Sequence, residues 1–182
     1  RPGPRAAIYQ QIEERMAAVP SIQSSTIASN LPLLGGAARA LLLDLGISAA
    51  HVVAHSGGGP IAVPLAIDAP GMVRSMVLLE PALMNAAMAA GFHDMITPLI
   101  EMHAAGRSAE AVELWMSAGN ADWKALIEPR IPGVAAQAIA DAAGTFDFDL
   151  RAMRVWDFEA VGASRISQPV LYVTGTRSGH RP

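Results

Sequence analysis

A serine followed by three glycines, at the end of a β-branched run, is the part of this chain best suited to covalent chemistry. The stretch is His51-Val52-Val53-Ala54-His55-Ser56-Gly57-Gly58-Gly59. The run reads as a strand, and the apolar stretch from Pro60 to Asp68 reads as a helix. A serine at the apex of so abrupt a turn is lifted out of the sheet, where its hydroxyl can attack an acyl carbon. The turn is too tight for large side chains two positions to either side, and Ala54 and Gly58 stand there. The Gly57 N–H then faces the same site, as a donor to the oxyanion formed during acyl transfer. The N-terminus of the following helix favours that negative charge as well. Glycine is the more usual residue at the position of Ala54; alanine is small but lacks glycine's tolerance of positive φ. A serine that merely ends a strand needs neither the small neighbours nor a helix directly behind it.

A carboxylate follows the next apolar run. Val73 to Leu79 is short enough for a buried parallel strand, and Glu80 comes at its C-terminal end, where open α/β sheets place their sites. Two roles are open to Glu80: orienting a histidine for proton transfer, or capping the next helix as a solvated carboxylate. The histidines are His51 and His55 around the first strand, His93 and His103 in helical sequence, and His180 near the end. Asp141, Asp147 and Asp149 are scattered without paired histidines, so no metal site is expected. Gly57-Gly58-Gly59 lacks the following Lys-Ser or Lys-Thr of a phosphate loop, and no cofactor is expected.

The surrounding elements can be placed by pattern. Residues 5–19 read as a helix with an apolar stripe of Ile8, Ile12, Met16 and Val19, Pro4 in its first turn and Pro20 as its stop. Ser21 to Ser29 alternates as a strand would, and Asn30 to Gly36 is a loop by its Pro and Gly content. Ala38 to Leu45 is helical. Ala82 to about Ala160 is helical too, broken at Gly91, Gly106, Gly119, Pro129, Pro132 and Gly144, and Val170 to Val173 is the last strand. Strands alternating with helices give an α/β class with a parallel sheet.

From about Ala38 to Thr176 the chain resembles an α/β-hydrolase of the esterase, lactonase and haloalkane-dehalogenase kind. The residues carrying the resemblance are Leu45-Gly46-Ile47, Ala54-His55-Ser56-Gly57-Gly58, Val77-Leu78-Leu79-Glu80-Pro81, Trp156-Asp157-Phe158 and Pro169-Val170-Leu171-Tyr172-Val173-Thr174-Gly175. The resemblance implies a partial α/β-hydrolase fold: a small parallel sheet with a nucleophile elbow and a helical cap insertion. Residues 38–80 and 165–182 would form the partial core and residues 81–164 the cap. It further implies Ser56 as nucleophile and Gly57 N–H as one oxyanion donor. The usual acid position after the last strand, Gly175-Thr176-Arg177-Ser178, holds no carboxylate. Glu80 is therefore the candidate acid, as after the corresponding strand of haloalkane dehalogenases. Dehalogenation itself is not expected, because it needs an aspartate where Ser56 stands.

The triad order is Ser, acid, His, and the resemblance puts the histidine on a loop well beyond the last strand. His180 arrives too early for that position, and the expectation is a missing or non-standard base. The second oxyanion donor normally follows an earlier strand that the sequence does not show. Residues 1–37 are similar instead to a piece of the periplasmic core domain of macrolide-exporter-type ABC permeases, through a helix, a Val-Pro turn, a strand and Asn30-Leu31-Pro32-Leu33-Leu34-Gly35-Gly36. An ordinary helix–strand lead-in is the alternative, and the segment is too short to form a transporter domain.

Bulk properties narrow the function classes. The 182 residues are 52% hydrophobic and 16% charged, with a net charge of −3, which gives no reason to expect nucleic acid or an anionic membrane as partner. No apolar stretch reaches the roughly 18 residues of a membrane span, and the start lacks a signal-peptide core, so a cytoplasmic location is expected. The chain does not begin with methionine and reads as processed or as part of something larger. There are no cysteines, and Lys124 is the single lysine, a composition suggesting a GC-rich bacterial gene. Met84, Met88, Met95, Met102 and Met116 with Phe92, Trp115, Trp123 and Trp156 suit either a hydrophobic pocket or the cap's own packing. The leading expectation is hydrolysis of a small hydrophobic ester or lactone through Ser56, impaired by the absent histidine. The alternative is an inactive fragment that self-associates as a homo-oligomer through an open sheet edge.

Overall fold

The computed structural model describes residues 4–27, 35–119, 122–154 and 160–176. In chain order the first elements are α1 (Pro4–Ala17), α2 (Gly35–Asp44), β1 (Ala50–His55), α3 (Gly59–Asp68) and β2 (Val73–Leu79). Then come α4 (Ala86–Ala104), α5 (Ser108–Gly119), α6 (Trp123–Ile127), α7 (Val134–Ala140), a π-helical turn (Gly144–Asp149), α8 (Leu150–Met153), α9 (Ala160–Ala163) and β3 (Val170–Val173). The chain divides into two compact units. One comprises Leu31–Ile96 with Phe148–Pro182, the other Arg1–Asn30 with Thr97–Asp147.

The first unit holds the sheet. Its strands lie in the order β1-β2-β3 and both pairings are parallel, with Val53 opposite Val77 and Val77 opposite Leu171. Period-2 alternation puts Val52 and Ala54 of β1 and Met76 and Leu78 of β2 on one face. That face packs with Ala38, Ala62, Val63, Leu65 and Ala66 into the core. Helix α3 is apolar nearly all round, which fits its burial: Gly59, Pro60, Ala62, Val63, Leu65 and Ala66 are all buried. Pro60 occupies its first turn, where a missing N–H costs nothing. Gln168 ties the end of this helix to the entry of β3, its Nε2 donating to the carbonyls of Ala66 (3.2 Å) and Pro70 (3.1 Å). On the opposite sheet face Val53 is 61% and Leu171 58% exposed, with Val77 half-buried between them.

In the second unit, Phe146 of the π-helical turn is fully buried and stacks on the His103 ring at 5.3 Å. Ala111 and Trp123 are buried there as well. Val112, Trp115, Met116, Ala138 and Phe146, with Asp141 and Thr145, line a cavity of about 230 Å³. Trp115 and Met116 therefore line a partly open hollow within this unit.

Four expectations are corrected. Residues 21–27 are not a strand, and 28 and 29 lie outside the described residues. Alternation alone does not make a strand; a neighbouring chain must accept the hydrogen bonds, and the sheet consists of β1, β2 and β3. Gly91 does not break a helix, because α4 runs unbroken across it and across Pro98. Glycine costs about 1 kcal/mol in a helix, and the burial of Ile96, Leu99 and Ile100 outweighs that. Helix α2 starts at Gly35, inside the stretch expected to be loop. Ile12 and Val19, in and just beyond α1, are 41% and 43% exposed, so the expected apolar stripe is only partly covered.

Candidate functional site

The strand-to-helix turn is as abrupt as the residue pattern requires. His55 is still extended, with φ −119° and ψ 137°, and Gly58 is already helical, with φ −69° and ψ −23°. Ser56 lies between them in the left-handed region, with φ 49°, and its side chain is exposed. A non-glycine residue held there is strained and persists only when its surroundings fix it. Two hydrogen bonds do so: the Ser56 carbonyl accepts the Gly59 N–H and, at 2.9 Å, the Ala82 N–H.

Contact forbids a side chain at one position of the turn, Gly59. A Cβ on Gly58 would sit 3.4 Å from the Ala54 Cβ. Ala54 itself lies within β1, and the positive φ falls on Ser56. Alanine therefore satisfies the first small position without glycine's conformational freedom. At Gly59 a Cβ would meet the Pro81 Cβ at 2.6 Å, which no side chain permits. At Gly57 it would meet nothing within 4 Å.

Glu80 shares this edge of the sheet. His55 and Leu79 are register partners, so Ser56 and Glu80 are the next residues on adjacent parallel strands. Glu80 is also left-handed, with φ 42°, and among the described residues it and Ser56 are the two non-glycines with positive φ. Its N–H donates to the Val173 carbonyl at 2.8 Å, and its Oε1 accepts the Gly175 N–H at 2.7 Å. The structure thus brings Ser56, Gly57 and Glu80 together at the C-terminal ends of the strands.

His51 and His103 are bonded to other partners. His51 Nδ1 is 2.7 Å from the Ser75 Oγ on the neighbouring strand. His103 Nδ1 is 2.9 Å from the Ser108 Oγ, with Nε2 3.4 Å from Asp147 Oδ2. His55 is exposed at the end of β1. His180 and Trp156 lie outside the described residues. Among the described residues, no three His, Asp or Glu side chains converge as metal ligands would, and no helix is long and apolar enough to cross a membrane.

Residue pattern did not single out Ala82 as part of this edge, and it marked Pro81 and Gly175 only as carriers of the resemblance, not as contacts of Gly59 and Glu80. The third consecutive glycine, Gly59, was the one available signal, since nothing in the turn itself requires it.

Comparison with known proteins agrees with this fold. No family model matches the chain. An α/β-hydrolase enzyme from a Medee basin deep-sea metagenome library superposes with a TM-score of 0.62 at 20% identity, over 82% of this chain and 56% of that one. An α/β-hydrolase from Sphaerobacter thermophilus gives a TM-score of 0.60 at 18% identity, over 97% of this chain and 72% of that one. The chain has a partial α/β-hydrolase fold. In sequence it is 37% identical over 73 residues to the dihydrolipoyllysine-residue acetyltransferase component of an acetoin cleaving system from Cupriavidus necator. That match covers 40% of this chain and 18% of the relative. The chain thus spans a small part of this relative and little more than half of the metagenomic enzyme. Nothing in these comparisons supports the expected similarity of residues 1–37 to exporter permeases.

Proposed function

We propose that this chain is a hydrolase that cleaves a carboxylic ester or lactone through an acyl-serine intermediate on Ser56. The observation that carries this reading is the left-handed, exposed Ser56 at the mouth of α3, φ 49°. In the proposed reaction Ser56 Oγ attacks the substrate carbonyl. The Gly57 N–H and the positive end of α3 stabilise the oxyanion, and collapse breaks the acyl C–O bond, the leaving oxygen taking up the proton lost from Oγ as a free alcohol from an ester or a tethered hydroxyl from a lactone. Water then releases the acid and restores the hydroxyl. Turnover depends on a base that takes the Oγ proton; loss of a triad member costs orders of magnitude in rate. His51 and His103 are bonded to other partners, so the reading assigns neither of them this task. The test is p-nitrophenyl butyrate turnover by wild type and Ser56→Ala. A rate that depends on Ser56 supports the mechanism, and equal rates dismiss it.

A second reading, of another class, is favoured by the partly exposed sheet face. Val53 and Leu171 are exposed on one side, and all four residues of β3 are exposed. In this reading the chain is catalytically inactive and self-associates, a second copy covering that apolar strip. It predicts a dimer or larger species by light scattering, with no Ser56-dependent turnover.

A further inference from the structure

We propose that Glu80 is a positioning residue for Ser56, acting through its backbone and one carboxylate oxygen as a brace across the strand ends. The acid of a proton relay is the alternative role that the variants below would reveal instead. The proposal rests on the Ser56 mechanism above and assigns the part Glu80 plays in it.

The argument starts from connectivity. Glu80 is held twice to the end of β3: its N–H donates to Val173 O at 2.8 Å, and its Oε1 accepts Gly175 N–H at 2.7 Å. Two residues later, Ala82 N–H donates to Ser56 O at 2.9 Å. Between them Pro81 lies against Gly59, so closely that no Cβ fits there, and Leu83 reaches the same spot. Both free ends of this short path are therefore fixed, one to β3 and the other to the serine's own carbonyl.

The left-handed backbone at Glu80, φ 42°, gives the bend that turns the chain from β2 toward Ser56. Such a conformation is unfavourable for a non-glycine residue and needs outside support. The Oε1 oxygen supplies it by accepting the Gly175 N–H at 2.7 Å, a bond that an uncharged oxygen acceptor in the same place can also make. Proline next in the chain limits how far the path can relax. Glu80 thus sets where Ala82 N–H sits, and Ala82 N–H helps hold Ser56 in its own strained state.

Two variants separate this role from that of a relay acid. Glu80→Gln keeps an oxygen acceptor for Gly175 N–H but carries no charge. Glu80→Ala removes the acceptor altogether. The brace predicts Ser56-dependent turnover in Glu80→Gln within about threefold of wild type, because no charge is consumed. It predicts a kcat lower by roughly 10- to 100-fold in Glu80→Ala, the scale of a misplaced reacting group. Amide exchange gives a readout independent of activity. The Gly175 and Ala82 amides stay protected in wild type and Glu80→Gln, and exchange about tenfold faster or more in Glu80→Ala.

Loss in Glu80→Gln on the roughly 10⁴-fold scale of a neutralised triad acid overturns the proposal. So does unchanged Gly175 and Ala82 protection in Glu80→Ala. If Glu80→Ala does not fold, Glu80→Gln alone decides, by keeping or losing both turnover and protection. If wild type shows no Ser56-dependent turnover, the hydrolase reading fails. The exchange data then still decide whether Glu80 braces the serine turn.

Discussion

The strain at Ser56 can be measured by comparing two variants that both lack the hydroxyl, Ser56→Ala and Ser56→Gly. Ser56 is exposed, so neither change opens a cavity. Both remove the nucleophile, so the difference between them isolates the backbone. The left-handed region costs a residue with a Cβ roughly 1–2 kcal/mol. Glycine is spared that cost but brings more freedom to the unfolded chain, which takes back roughly 0.5–1 kcal/mol. The net expectation is that Ser56→Gly is more stable than Ser56→Ala by about 0.5–1 kcal/mol. For a chain of this size that is about 1–4 °C in Tm. Differential scanning calorimetry of the two variants under one set of conditions provides the assay. A Ser56→Ala Tm equal to or above that of Ser56→Gly refutes the reasoning, since the serine would then not be held in a strained conformation.

Gly59→Ala forces a methyl to 2.6 Å from the Pro81 Cβ and 3.3 Å from its Cα, whereas Gly57→Ala meets nothing within 4 Å. Urea unfolding should therefore show Gly59→Ala destabilised by about 1–3 kcal/mol and Gly57→Ala nearly unchanged. Gly57→Ala should also keep Ser56-dependent turnover, because its proposed role uses only the backbone N–H. The Lys124 ammonium bonded to Glu113 holds that carboxyl below the usual glutamate range. For a lowered acid the stabilising contribution is present above its unfolded pKa and lost as pH falls through the lowered folded value. Lys124→Met should return the Glu113 titration, followed by NMR, toward the ordinary glutamate position. Since both groups are largely exposed, the effect on overall stability should be small. Phe146→Ala should cost about 3–5 kcal/mol in the helical unit, because the ring is fully buried there.

The parts of the fold that were legible in the sequence share one physical property: a pattern that local chemistry completes. β1 and β2 are short apolar runs with a clear end, and the serine turn announces itself through Ala54, Gly58 and the helix that begins at once. Gly91 misled because a glycine weakens a helix only slightly, and the buried Ile96, Leu99 and Ile100 decide the matter. Residues 21–27 misled because alternation is necessary for a half-buried strand but supplies no partner. Glu80 shows the limit most clearly. Its place at a strand end could be read, but its bond to Gly175 spans 95 positions of sequence. That contact follows from the register of β2 against β3, which no local pattern specifies. The stack of His103 on Phe146 was invisible for the same reason.

The most direct test of the central claim is covalent labelling with a fluorophosphonate, read by intact mass and peptide mapping. The proposed mechanism predicts one phosphonyl adduct, located on Ser56 and absent from Ser56→Ala. An unlabelled wild-type protein, or an adduct mapped to any other residue, contradicts it.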